Sequence, residues 1–215
     1  MTHEWLRIGG DGVARCWWPG DDDQYIRYHD DEWGRPVTDD RALFEKLCLE
    51  GFQAGLSWLT ILRKRENFRA AFAGFAPGAV AAFGDRDVAR LLADAGIVRH
   101  RGKIEATINN ARCLLNFVRD EGTFHEFIWS FAPRTPYGRD GDTSHPSGIA
   151  TTSPSATALS KALKKRGFAF VGPTTVYSFM QSMGLVNDHV EGCHARHDCE
   201  VARRDVASVH GARDH

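Results

Sequence analysis

From residue 38 onward, apolar residues return every three or four positions, the repeat of an amphipathic helix. Leu43, Phe44, Leu47 and Cys48 form one such stripe behind a cap at Thr38 or Asp39, and Gly51 and Gly55 are expected to break it. Ser57 caps a second helix carrying Trp58, Ile61, Leu62, Phe68 and Phe72. Asp85 opens a third, with Val88, Leu91 and Leu92 inside and Gly96 as its stop. Ile104, Ile108, Ala111, Leu115 and Val118 give the cleanest stripe, ended by Gly122. Thr123 with Glu126 reads as a capping box ahead of Phe127, Ile128 and Phe131. Residues 133–152, with Pro133, Pro136, Gly138, Gly141, Pro146 and Gly148, read as a long loop. Ser153-Pro154 starts a helix through Leu159 and Leu163 to Gly167, and another runs from near Pro173 to Gly184. Strand-like alternation is almost absent, so the pattern predicts an all-α fold of about seven or eight helices. Residues 1–14 are expected to be a flexible leader, 15–199 a single helical unit and 200–215 a C-terminal tail.

Composition narrows the class. At 215 residues and 42% apolar, the chain is long enough to bury a real core. A formal net charge of −1 excludes a uniformly basic nucleic-acid binder, but not a local basic patch. No apolar run approaches the ~18–20 residues of a membrane span, and the polar start is no signal peptide, so a cytoplasmic protein is expected. Five cysteines without regular spacing read as thiols or metal ligands rather than a disulfide framework.

Four groups of residues could carry chemistry. The five residues from Phe168 to Gly172 form an apolar turn between two helices, and a helix starting at Pro173-Thr174 offers free N–H groups to a phosphate. Lys161, Lys164, Lys165 and Arg166 lie just before it, although a charge run is more often plain solvated surface. His189 and Cys193, four apart, could grip one metal ion from a helical turn. Cys16 and His29 could complete the set, with His194, His197 and Cys199 as competitors. Glu50 falls on the apolar Leu43–Leu47 stripe, where a carboxylate needs a partner or a raised pKa, unless it simply reaches solvent or caps a backbone amide at a helix end. Finally, Trp17, Trp18, Tyr25, Tyr28 and Trp33 crowd an Asp-rich segment expected to be irregular; with Trp58 they could sandwich a planar ligand.

Longer strings carry a resemblance. Tyr28-His29-Asp30-Asp31-Glu32-Trp33-Gly34, the run from Leu49 to Trp58, Ile97 to Ile104, and Phe179-Met180-Gln181 with Gly184 to His189 resemble the 3-methyladenine DNA glycosylase I family from about Arg15 to Cys193. The resemblance implies a helix-hairpin-helix glycosylase fold in two helical lobes. It makes Glu50 and Tyr28 catalytic, and Glu50, Tyr28, Trp58, Trp18 and Trp33 the base-binding pocket. Phe168, Val171, Gly172 and Thr174 become the DNA-binding turn, in which any side chain at Gly172 is expected to obstruct a phosphate and strain the backbone. Cys16, His29, His189 and Cys193 become a structural zinc site joining the chain ends. The activity implied is monofunctional hydrolysis of the N-glycosidic bond of 3-methyladenine in alkylated double-stranded DNA, by a monomer that flips the base and releases it free. No lysine reads as placed for a Schiff base, and the wider superfamily's catalytic aspartate is not assigned to Asp188. Two rival classes fit less well. A purely DNA-binding module gains nothing from Glu50 on an apolar face, and a zinc hydrolase would not close its metal with four protein ligands.

Overall fold

The computed structural model describes residues 4–141 and 149–210; the part of the expected loop that holds Pro146 and Gly148 lies outside them. Among the described residues, ten α-helices and one two-stranded hairpin make up the regular structure, apart from single 3-10 turns at Ala73–Phe75 and Pro136–Gly138. The helices are α1 (Asp23–Asp31), α2 (Asp40–Gln53), α3 (Trp58–Ala71), α4 (Pro77–Ala81), α5 (Asp85–Ala93), α6 (Arg101–Asp120), α7 (Phe124–Trp129), α8 (Pro154–Lys165), α9 (Pro173–Ser182) and α10 (Arg196–His210). The chain is mostly helical, as its periodicity requires.

Where the caps were legible, the helices start as expected. Asp39 accepts from the Ala42 N–H at 2.8 Å, Ser57 from Thr60 at 3.2 Å and Ser153 from Ala156 at 3.1 Å, each covering an amide that the helix leaves unpaired. Gly51 does not break α2, which runs on to Gln53. The reason is packing. Every residue from Lys46 to Phe52 is buried, so this part of α2 is a central helix without a solvent face, and contacts outweigh the low helix propensity of glycine. It packs against α3, α6, α7 and α9.

Several expectations were displaced. The leader is no bare segment: Leu6–Ile8 and Ala14–Cys16 pair as antiparallel strands β1 and β2, with Leu6 opposite Cys16. The segment from Asp23 is not irregular but is helix α1, capped by Asp22, and its buried face is Tyr28 and His29 rather than aliphatic residues. The expected tail beyond Cys199 continues α10 as far as His210, and its Glu200 and Arg203 are buried and paired at 2.9 Å. On α6, Leu114 and Phe117 are buried while Leu115 and Val118 are 42% and 45% exposed. Both registers satisfy the helical repeat; the rings of Phe124 and Phe127, 5.9 and 4.9 Å from Phe117, select the first.

The expected capping box of α7 does not form. Thr123 makes no side-chain cap, and the Asp40 carboxylate accepts instead from the N–H groups of Phe124 (3.1 Å) and His125 (2.8 Å). A residue from the first turn of α2 thus closes the start of α7. Beside it, the segment before α2 is clamped: Trp129 Nε1 donates to the Val37 carbonyl at 2.8 Å, and the Val37 N–H to the Met183 carbonyl at 3.2 Å. Gly184 sits there with φ +76°, and a Cβ on it would lie 2.5 Å from the Pro36 nitrogen, so only glycine fits.

Asp40→Ala should therefore destabilise the protein by about 1 kcal/mol, the usual worth of a helix cap, lowering Tm by roughly 2–4 °C. Thr123→Ala should leave Tm nearly unchanged. Differential scanning calorimetry of both variants separates a tertiary cap from a local one, and the reverse ranking would refute it.

Candidate functional site

Because the middle of α2 is buried all round, two of its charged residues are buried with it. Lys46 and Glu50, one turn apart, are 6% and 4% exposed, and Lys46 Nζ lies 2.9 Å from Glu50 Oε1. The same ammonium donates to the Tyr28 hydroxyl at 2.8 Å and sits 3.1 Å from the centre of the Trp58 ring. Its three N–H bonds thus have an anion, a phenol oxygen and an indole face. Burial pulls the Lys46 pKa down to about 8, with the Glu50 charge opposing. Burial, and then the charge of Glu50, push the Tyr28 phenol well above its ordinary value, so it stays protonated. Glu50's partner is a lysine that sequence reasoning missed, since a lysine on a helix normally reaches solvent. Lys46 is nonetheless no free amine for a Schiff base: it is enclosed by three partners.

Glu50 opens onto a cavity of about 290 Å³. Trp18, Tyr28, Trp33 and Trp58 line it, together with Trp17, Tyr25, Gln53, Ile149, Ser178 and Gln181. The aromatic wall is self-supporting. Trp18 lies 4.8 Å from Tyr25 and 5.1 Å from Trp33, and Tyr28 lies 5.4 Å from Trp58, in tilted and edge-on pairs. The Trp58 indole N–H is buried without a hydrogen-bond partner among the described residues, a spare donor at this wall. The arrangement suits a flat, polar-edged molecule: faces for stacking, and a buried carboxylate at one edge.

Beside this wall, Cys16, His29, His189 and Cys193 are all buried, and their ligand atoms lie within 4.8 Å of one another. Cys193 Sγ is 3.5 Å from His29 Nε2 and 3.4 Å from His189 Nδ1, and Cys16 Sγ is 3.7 Å from His189 Nδ1. The far ring nitrogens are fixed from behind, His29 Nδ1 by Asp30 at 2.8 Å and His189 Nε2 by the Trp33 carbonyl at 3.0 Å. Each imidazole therefore turns a lone pair inward, as a metal-ligating histidine requires. Hydrogen bonding to Cys16 holds the Cys193 thiol well below its ordinary pKa, against burial, and the same shared proton with burial raises Cys16. The four residues could hold a metal ion. His189 and Cys193 come from a loop, not from the helical turn that their spacing suggested. Cys199 is buried but outside the cluster; His194 instead meets Asp30, at 2.9 Å. Gly34 passes so close that a Cβ on it would lie 2.9 Å from His189 Nε2.

The turn between α8 and α9 departs from expectation. Phe168 and Val171 are 3% and 1% exposed, so their side chains belong to the core and cannot touch a partner. Between Phe168 and Gly172 the exposed residue is Phe170, at φ +57°, and Thr174 is exposed in the first turn of α9. Gly172 caps α9 with φ −64°, and a Cβ there would meet nothing, so a side chain brings no strain to the turn, contrary to expectation. No side chain caps α9, which leaves its first amides free for an outside acceptor. Asp188 is held by the Tyr177 hydroxyl at 2.7 Å and Gln181 Nε2 at 2.8 Å, with Arg139 Nε in ion-pair range at 2.8 Å.

The same chain is similar to proteins of known activity over nearly all of this architecture. DNA-3-methyladenine glycosylase 1 of Escherichia coli (strain K12) is 56% identical over 181 residues, 84% of this chain and 96% of the relative. The Haemophilus influenzae DNA-3-methyladenine glycosylase is 48% identical over 181 residues, 84% of this chain and 97% of its own. A crystal structure of 3-methyladenine DNA glycosylase I matches with TM-score 0.78 and 53% identity, covering 85% of this chain and 99% of that one. A point variant of the enzyme solved in complex with 3-methyladenine matches with TM-score 0.78 and 41% identity, covering 85% and 97%. A family model described as methyladenine glycosylase matches residues 18–197, a span that takes in the cavity wall except Trp17 and all of the clustered Cys and His residues except Cys16, and the chain belongs to that family.

Proposed function

We propose that this protein is a monofunctional DNA glycosylase of base-excision repair, which hydrolyses the N-glycosidic bond of 3-methyladenine in alkylated double-stranded DNA and leaves an abasic site. The observation that carries the reading is a buried carboxylate, Glu50, inside an aromatic cavity sized for one flat base. Methylation at N3 makes the adenine cationic and weakens its bond to the sugar, so the leaving base needs no protonation. The enzyme must instead extrude the base, recognise it and hold it while water attacks the sugar. Glu50 and Tyr28 are the catalytic pair in this reading, with Trp58, Trp18 and Trp33 completing the base pocket. Lys46 occupies one oxygen of Glu50 and leaves the other to accept from the exocyclic amino group, and the indoles favour a cationic ring by roughly 0.5–2 kcal/mol each.

The remaining parts follow. The turn from Phe168 to Gly172 with α8 and α9 is read as a helix-hairpin-helix DNA anchor, in which Gly172 and Thr174 bring backbone to a phosphate while Phe168 and Val171 hold the turn in place. The four-residue cluster is read as a structural zinc site joining the chain ends. Zinc bonds of about 2.0–2.3 Å at tetrahedral angles set donors roughly 3.3–3.8 Å apart, the range of the three Cys–His separations given above. Zinc there would contribute folding energy, and a closed ligand set leaves it no substrate position. The protein is read as a cytoplasmic monomer. No helix among the described residues is long and apolar enough to cross a membrane.

Purified protein should release 3-methyladenine from methylated DNA, separated by chromatography, without strand scission. Release of no base, or of 7-methylguanine at a similar rate, refutes the reading. Glu50→Gln keeps an acceptor for Lys46 and should fold, yet bind free 3-methyladenine about tenfold to hundredfold more weakly, the worth of a charge-assisted hydrogen bond. Glu50→Ala should also lower Tm sharply by stranding the Lys46 ammonium, and Lys46→Met in the same chain should restore Tm but not binding. Unchanged affinity in Glu50→Gln removes the carboxylate from recognition.

Elemental analysis should find about one zinc per chain. Cys193→Ala should lose it and lower Tm, whereas Cys199→Ala should keep it. A metal-free wild type purified without chelator overturns the zinc assignment.

Because a side chain at position 172 meets nothing in the protein, Gly172→Asp should keep its Tm and its affinity for free 3-methyladenine. It should weaken DNA binding by about tenfold, through repulsion of the phosphate. Equal DNA affinity would mean a plain solvated turn.

A further inference from the structure

Two glutamines line the cavity, and both are held in one sense. Gln53 Nε2 donates to the Leu56 carbonyl at 2.6 Å, and Gln181 Nε2 donates to Asp188 Oδ2 at 2.8 Å. Neither acceptor has a proton to give, so each amide must turn its nitrogen toward the protein and its carbonyl oxygen elsewhere. The constraint on Gln181 is the tighter. Asp188 is 1% exposed, Arg139 lies beside its other oxygen, and the Tyr177 hydroxyl donates to the same oxygen as Gln181. Burial, and then the Asp188 charge, raise the Tyr177 pKa, so that phenol keeps its proton and remains a donor. Among the described residues, Gln181 Oε1 has no hydrogen-bond partner, and its residue faces the same cavity as Glu50.

We propose that Asp188 is a positioning residue that locks the Gln181 amide with its carbonyl toward the pocket, and that Gln181 and Glu50 together select a purine with an amino group at C6 over one with a carbonyl at C6. The inference rests on the base-excision reading above and supplies its discrimination rule. Two acceptors can take both protons of an amino group. A carbonyl placed there would face their lone pairs, leaving three buried oxygens without donors. An amide free to turn would offer its N–H to that carbonyl and erase the preference. Asp188 blocks the turn, because it would set Gln181 Oε1 against the carboxylate. The role requires no chemistry of Asp188 itself, which fits its burial behind Gln181 and the two hydrogen bonds that its Oδ2 accepts from α9.

Calorimetric titration of 3-methyladenine and 3-methylguanine into the wild type, Gln181→Met, Asp188→Asn and the double variant tests this. The wild type should favour the adenine. Gln181→Met should cut that preference by about tenfold. Asp188→Asn should cut it comparably, since an asparagine can donate to the turned amide, and should change it less than about twofold in the Gln181→Met background. An unchanged preference in Gln181→Met overturns the proposal. So does an equal effect of Asp188→Asn in both backgrounds, which marks a general structural role. If Asp188→Asn fails to fold because Arg139 is stranded, Asp188→Asn combined with Arg139→Met, which removes both charges, replaces it in the same two backgrounds, with the same outcomes expected. A wild type that binds neither base refutes the base-excision reading and the inference with it; tight binding with unchanged preference refutes the inference alone.

Discussion

A carboxylate and an ammonium one turn apart on a helix without a solvent face must find each other. Either alone, stripped of water and unpaired, would cost several kcal/mol. In α2 the pairing of Lys46 with Glu50 meets that demand, and the rest of the site is arranged around it. The ammonium has two donors left after Glu50, and these go to Tyr28 of α1 and the ring of Trp58 of α3. The side chains that satisfy a buried charge are thus the walls of the cavity. Electrostatic stability of the core and the shape of the pocket are one problem with one solution.

The aromatic wall is fastened from its other side by the cysteine–histidine cluster. His29 follows Tyr28 directly, and Trp18 lies 5.2 Å from its ring; Trp33 lies 4.7 Å from His189. Anything that orders the four donors therefore orders the wall. The loop after α9 serves three purposes in three consecutive buried residues. Asn187 donates to the Arg196 carbonyl at the start of α10, Asp188 holds Tyr177 and Gln181, and His189 enters the cluster. This explains why so polar a string is buried: each side chain has its own partner, and none is left to face the core alone.

The helices themselves were legible in the sequence. Periodicity with capping residues placed α2, α3, α5, α6, α8 and α9, because a helix's burial stripe and its end caps lie within a few residues of one another. α1 escaped, because its buried face is a tyrosine and a histidine and its exposed face is acidic. The hairpin escaped because three-residue strands carry too little alternation to read. The two registers open to α6, and the cap that α7 takes from Asp40 rather than Thr123, turned on which neighbours arrived.

The site divides in the same way. Sequence alone determined that a carboxylate would stand on an apolar stripe, that aromatic residues would crowd one short segment, and that sulfur and imidazole donors would be available at both ends of the chain. Those are properties of residue type and spacing. Only the tertiary structure decided that Glu50 is answered by Lys46 and that Phe168 and Val171 belong to the core. It also decided which four of the competing cysteines and histidines converge, and that Asp188 faces Gln181. The physical reason is distance along the chain. Cys16 and His189 meet across 173 residues, and a buried polar group's partner depends on which face each helix turns inward, which no local spacing records.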